Sequence, residues 1–227
     1  GYFQNNILVS TSTYPYAPNV YGFVFTKADS NFNFSILKTY TRTSNNAFSL
    51  FPTELSDSSF IFTGLTSQNT NSIYPWDIAV MKTDKNGNTL WAKKYDMSYS
   101  DTNIGSIIVN NDKSMLIIGS TELTGSADDS DVLLLKIDSL GNQIWAKAIG
   151  GYGIDGVKLF RINNYYYSVA TNRSYGGANS SGICIYKIDT MGNLINAKYI
   201  SGTLQPQPWT IEYNNNGTFT LTGISDY

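Results

Sequence analysis

Asp131-Val-Leu-Leu-Leu-Lys136-Ile-Asp138-Ser-Leu-Gly141-Asn142-Gln-Ile-Trp145-Ala-Lys147-Ala-Ile-Gly-Gly151 is the stretch whose reading decides the fold. Val132 to Leu135 is apolar at every position, and a strand of that kind has to be covered on both faces. The residues from Asp138 to Asn142 then spell a tight turn, in which the aspartate caps and the glycine tolerates a positive φ. So short a connection folds the next segment back as the second arm of an antiparallel hairpin. That arm carries Trp145 and Lys147 on one parity, so it reads as an outer strand with a lysine-guarded edge.

The stretch recurs. Residues 77–96 and 182–202 are near copies, and 22–38 is a more divergent one. Aligned on the central lysine (Lys27, Lys82, Lys136, Lys187), the copies are spaced by 55, 54 and 51 residues. Two residues on stand Asp29, Asp84, Asp138 and Asp189. Six on stand Asn33, Asn88, Asn142 and Asn193, and eleven on Lys38, Lys93, Lys147 and Lys198. Four positions held in register through four copies mark an internal repeat.

Between the copies lie two further families of short β-type segments. One ends in a small residue followed by hydroxyl or amide groups: 7–13, 60–67, 115–122, 167–173 and 219–225. The other precedes it and ends in turn residues: 47–54, 105–112, 156–164 and 209–217. Each period thus holds four segments, a to d, divided by Asn, Asp, Gly and Ser clusters, with no sustained helical period. A four-stranded meander covered on both sides by copies of itself is the blade of a β-propeller. The expected fold is therefore all-β, with about four and a half four-stranded antiparallel blades. A partial blade is expected at 5–40, full blades at 46–95, 104–149 and 155–200, and a partial blade at 208–227. Counted this way the segment is an arc, and the remaining blades of the same or another chain are expected partners. Trp91, Trp145 and Cys184 are expected to be structural.

The pattern Asp-x-x-x-x-Lys-x-Asp-x-x-Gly-Asn-x-x-Trp-x-Lys resembles the kelch/WD-like propeller repeat of secreted and surface proteins sometimes called SBBP-type. It covers nearly the whole chain. Copies one and four depart from it, with Ile36 and Asn196 in place of Trp and Phe32 in place of Gly. The resemblance implies an extracellular or cell-surface setting and leaves the ligand open.

Composition narrows the chemistry. Aromatic residues make up 14% and charged residues also 14%, against about 25% charged in a typical soluble domain. A net charge of −2 and the absence of any basic run argue against nucleic-acid partners. No apolar stretch approaches the ~20 residues of a membrane span. The opening Gly1-Tyr-Phe-Gln4 has neither an initiator Met nor a leader pattern, which suggests a removed leader or a piece of a longer polypeptide. The one cysteine, Cys184, excludes an internal disulfide. The count of histidines is 0, which removes His-based triads and His-based metal sites. No cofactor motif is present.

Three kinds of candidate residue remain. Asp128, Asp129 and Asp131 have oxygens suited to Ca²⁺, but their spacing matches no calcium motif, so no metal site is assigned. Asn33, Asn172, Asn179 and Asn216 open Asn-x-Ser/Thr sequons and are glycosylation candidates. Aromatics are expected in the b–c and d–a connections, which share one blade end: Tyr14, Tyr16, Tyr74, Trp76 and Tyr175, with Tyr40, Tyr99, Tyr152 and Trp209. Rigid aromatic side chains suit a surface that binds protein or glycan partners. The b–c connections are read as similar in length.

The function expected from these features is a non-catalytic scaffold and interaction module with no catalytic residues. The alternative is a carbohydrate-active enzyme with part of its site outside the segment. Thr83-Asp84-Lys-Asn-Gly87-Asn-Thr89-Leu-Trp91 is similar to the Asp-box of sialidase propellers, which implies a turn that aids folding. A sialidase-like arginine cluster is not evident, since Arg42, Arg161 and Arg173 occupy different repeat positions.

Overall fold

The computed structural model describes residues 6–17, 20–42, 50–66, 77–96, 100–122, 130–150, 154–172, 182–201, 206–214 and 218–225. All regular structure in it is β. The chain divides into two compact units, Gly1–Asp96 and Met97–Tyr227.

The first unit holds a three-stranded sheet, β1 (Asn6–Ala17), β2 (Val20–Asp29) and β3 (Phe34–Arg42). Beside it lies the four-stranded meander β4 (Leu50–Glu54), β5 (Phe60–Thr66), β6 (Asp77–Thr83) and β7 (Thr89–Tyr95). Their facing sides interlock through Phe23, Phe25, Phe60, Phe62, Ala79 and Met81. Phe25 meets Phe60 and Phe62 edge-on at 4.9 and 5.0 Å between centroids, the geometry that ring quadrupoles favour.

The second unit holds two four-stranded meanders and a pair. The first meander is β8 (Ser100–Val109), β9 (Met115–Glu122), β10 (Ser130–Ile137) and β11 (Gln143–Ile149). The second is β12 (Ile154–Ile162), β13 (Tyr165–Asn172), β14 (Gly182–Asp189) and β15 (Leu194–Ser201). The pair is β16 (Pro206–Tyr213) and β17 (Phe219–Ser225). Leu116, Ile118, Val132 and Leu134 of one meander face Tyr166, Cys184, Tyr186 and Ile188 of the next in a single core. Every described strand pairing is antiparallel between strands consecutive in sequence.

The repeat positions acquire physical roles. In each c–d turn the aspartate carboxylate accepts two backbone N–H groups and the asparagine side chain. For Asp84 these are Asn86 N and Asn88 N at 2.8 Å each and Asn88 Nδ2 at 2.9 Å. Asp29, Asp138 and Asp189 repeat the arrangement. The residue before the asparagine takes a left-handed φ of 79°, 76° and 78° in Gly87, Gly141 and Gly192. Phe32 adopts 61° in the divergent copy, at the cost a side chain meets there.

The d-strand lysines need correction as edge guards. Lys38 Nζ donates to Asn88 Oδ1 at 2.8 Å, and Lys147 Nζ to Asn193 Oδ1 at 2.7 Å. The outer strand of one sheet is thereby tied to the c–d turn of the next. Trp145 is half-buried against the core, with Lys136 and Lys147 each 5.9 Å from its ring. The a–b turns form a second set of ties. Buried Asn110 accepts from Tyr166 Oη at 2.8 Å and Arg161 Nη1 at 2.9 Å, both from the following sheet.

Candidate functional site

The ends of strands b and d and the starts of strands a and c share one end of each meander. Here β8 contributes Asp101, β9 Thr121 and β10 Asp131. Asp101 is the register partner of Thr121, and Thr121 that of Asp131, so the three form one row across three adjacent strands. Strands lie about 4.8 Å apart, which puts the Asp101 and Asp131 backbones about 10 Å from each other. Directly opposed residues share a sheet face. Thr121 and Asp131 are buried. Register shifts fall between Asp101 and Asn103 and between Ile104 and Ser106. Such bulges bend a strand and re-aim its side chains, often beside active sites.

Two carboxylate residues held in one row across adjacent strands are the residue types that can divide acid and base work on one bond. Among the described residues whose burial is defined, the buried carboxylates are Asp77 and Asp131. They hold the same repeat position, and Asp77 is tied to Lys94 Nζ at 2.8 Å. Sequence reading flagged Asp131 only as an oxygen ligand and missed Asp101. The row emerges only once strands a, b and c are paired in register.

At the same end of the first unit lies a cleft of about 350 Å³. Phe23 and Tyr40, stacked at 4.6 Å, Met81 and Ala92 form part of its wall, and Thr41, Thr66, Lys93 and Lys94 supply its polar groups. Burial raises the Tyr40 hydroxyl to about 12, with the Asp84 charge adding to the shift. That hydroxyl donates to Gly87 O at 2.7 Å, so Tyr40 serves the joint between sheets, not a connection.

The other expected site residues fall as follows. Tyr14 and Tyr16 lie inside β1, not in a loop, because the strand runs on to Ala17 and pairs it with Val20. Only residues 18–19 separate β1 from β2, whereas 67–76 separate β5 from β6, so the b–c connections are unequal in length. Trp209 lies in β16. Tyr74, Trp76, Tyr99, Tyr152, Tyr175, Asp128, Asp129, Asn179 and Asn216 are outside the described residues. Asn33 is exposed in its turn, with its amide on Asp29. Asn172 ends β13. Among the described residues no cluster of three or more acidic, Cys or His side chains is placed to hold a metal ion. Among the described residues no helix is long and apolar enough to cross a membrane.

Repeated four-stranded antiparallel meanders, with neighbouring sheets packed face to face within each unit, define the class: an all-β protein built of β-propeller blades. No protein-family model matches the sequence, and no curated protein matches it either. Among solved structures, the chain is similar to an endo-arabinase from Bacteroides thetaiotaomicron. The likeness covers 96% of this chain and 88% of that one, at 8% identity and a TM-score of 0.53. An exo-1,5-α-L-arabinanase from a bovine ruminal metagenomic library is also similar, at 8% identity over 96% and 95% of the two chains, but its TM-score of 0.41 is too low to bear on the fold.

The expectation of a non-catalytic scaffold is corrected by this finding. The solved protein that shares the fold carries an enzyme's name, so the blade architecture is no ground for leaving catalysis out.

Proposed function

We propose that this chain belongs to a carbohydrate-active enzyme that hydrolyses glycosidic bonds in a polysaccharide. The row Asp101–Thr121–Asp131 is the observation that carries the reading, because it places two carboxylate residues across one gap at the end of a blade. In such a site one carboxyl group protonates the leaving oxygen while the other activates water or attacks the sugar carbon. With 0 histidines in the sequence, carboxylates are the leading candidates for acid and base. The similarity in fold to an endo-arabinase supports a polysaccharide as substrate. Further catalytic groups are expected from outside the row. The likeness of the repeat to that of secreted surface proteins favours an extracellular setting.

The test is release of reducing ends from a panel of plant and microbial polysaccharides, arabinan among them, by the purified protein. Hydrolysis of at least one polymer is expected. A folded preparation that leaves the whole panel intact would remove the proposal.

A further inference from the structure

Two joints between sheets, one inside each unit, are built from copies of the same hairpin. Residues 77–96 match 182–202, so Asp77, Ala79, Met81 and Lys94 hold the positions of Gly182, Cys184, Tyr186 and Tyr199. The register agrees. Ala79 lies opposite Lys94 as Cys184 lies opposite Tyr199, and Met81 opposite Ala92 as Tyr186 opposite Ala197. Both hairpins turn these residues to the preceding sheet. Ala79 and Met81 join the core of Phe23 and Phe25, and Cys184 and Tyr186 that of Val132 and Leu134.

In the second unit, two tyrosines fill this side of the hairpin. Tyr186 is 3% exposed in the core. The Tyr199 ring lies so close over Gly182 that a Cβ on that glycine would collide with it. In the first unit Met81 and Lys94 stand in place of both rings. Lys94 reaches Asp77, which stands where the other hairpin has Gly182, at 2.8 Å. The cleft of about 350 Å³ opens against these residues, with Ala79, Met81, Ala92 and Lys94 among its lining.

We propose that this cleft binds a small uncharged molecule with a phenol-like ring, in the position that tyrosine rings take in the other joint. An apolar cavity of roughly 150 Å³ is enough for benzene, so about 350 Å³ holds a ring with a short substituent. An apolar wall with a few polar groups is the usual make-up of a small-molecule site. Phe23 and Tyr40 supply aromatic contact, and the flexible Met81 thioether adapts to a ring edge. The wall is already ordered, because Tyr40 is stacked on Phe23 at 4.6 Å and its hydroxyl is fixed on Gly87 O, so little freedom is lost on binding. Thr41, Thr66 and Lys94 supply partners for the ligand's hydroxyl; Lys94 Nζ has three N–H groups and places one on Asp77. The Lys94 charge is met by Asp77 and Lys93 is likewise engaged, so the cleft suits a neutral ligand over an anion. The inference stands apart from the hydrolase reading, since no residue of the Asp101–Asp131 row lines the cleft.

The probe is 4-fluorophenol, titrated against the full 227-residue protein and followed by broadening of its fluorine resonance. Saturable binding is expected, with fluorobenzene, which lacks the hydroxyl, about threefold weaker or more. Met81→Tyr restores a ring of the other joint and is expected to weaken binding by about tenfold or more, with the fold intact by CD. Ala92→Phe fills the cleft from an exposed position on the outer strand and is expected to do the same, which keeps the test open if Met81→Tyr does not fold. Leu140→Ala, on an exposed turn of the second unit, is expected to bind as the unmodified protein does. Binding that never saturates, or that the folded cleft variants retain, overturns the inference. So does tighter binding of 4-fluorobenzoate or of a methyl arabinofuranoside in competition with 4-fluorophenol, which would make the ligand an anion or a sugar.

Discussion

Asn110 is the most exacting test of how neighbouring sheets are held together. It is 8% exposed, and its Oδ1 accepts at once from Tyr166 Oη and Arg161 Nη1, while its Nδ2 donates to Ser114 Oγ at 3.0 Å. Asn110→Ala strands a hydroxyl on a tyrosine that is 1% exposed, and it also takes a charge-assisted bond from Arg161. A stranded buried donor costs about 1–3 kcal/mol and the bond to the charged group adds to that, so the loss is about 2–4 kcal/mol. Ser114 adds little, because its hydroxyl is also held by Asp112 at 2.6 Å. Tyr166→Phe removes the donor and leaves Asn110 Oδ1 with Arg161, so it costs only about 1 kcal/mol. In the Tyr166→Phe background Asn110→Ala then costs about 1–2 kcal/mol, a coupling of at least about 1 kcal/mol between the two positions. The assay is urea unfolding of the four proteins, followed by far-UV CD and tryptophan fluorescence to check that the probes coincide. A thermal scan gives a drop of about 4–16 °C for Asn110→Ala in a chain of this size. Equal costs in both backgrounds, or a cost under about 0.5 kcal/mol, would refute this account of the joint.

Other consequences are open to measurement. Asn88's side chain, followed by its backbone N–H, holds the Asp84 carboxyl below its ordinary value of 3.8. A folded value below the unfolded one gives stability that is present above about pH 4 and lost as pH falls through the folded value. Asp84→Asn is therefore expected to flatten the acid side of the stability curve, and an unchanged slope would contradict this. Cys184 is 1% exposed and burial pushes its thiol up, so thiol reagents are expected to label it only after unfolding. Rapid labelling of native protein would show the core between β10 and β14 to be open. Gly192→Ala puts a Cβ 2.8 Å from Trp145 at a φ of 78°, so it is expected to cost more than the roughly 1–2 kcal/mol of the backbone strain alone and to shift tryptophan fluorescence. A neutral substitution would mean that the turn does not lie against Trp145.

Much of the fold was legible because the repeat keeps the residues that make each joint. The spacing of Lys136, Asp138, Asn142 and Lys147 encodes a turn and its tie to the next sheet, and those four positions recur where the geometry needs them. The departures were legible too, since Phe32 is forced into the conformation that glycine takes in the other copies. The extent of β1 was not. Pro15 and Pro18 punctuate the sequence like a loop, yet a register shift after Thr13 lets the strand continue to Ala17. The acid row was hidden for a related reason. Asp101 and Asp131 are far apart in sequence, and bulges in β8 decide which residue faces Thr121. No local pattern reports that pairing. The aromatic residues drew attention by composition alone, and Tyr40 shows how such a side chain can be taken up by the joint between sheets.

The hydrolase reading is tested most directly by reducing-end release from a hydrolysed polysaccharide with Asp101→Asn and Asp131→Asn proteins, beside Asp77→Asn. Loss of a carboxyl group that transfers protons lowers rates by about 10²–10⁴. The prediction is a loss of that order for Asp101 and Asp131, with CD spectra unchanged, and retention of most activity for Asp77, which is paired with Lys94. Near-wild-type turnover by both row variants would contradict the assignment of catalysis to this end of the blade.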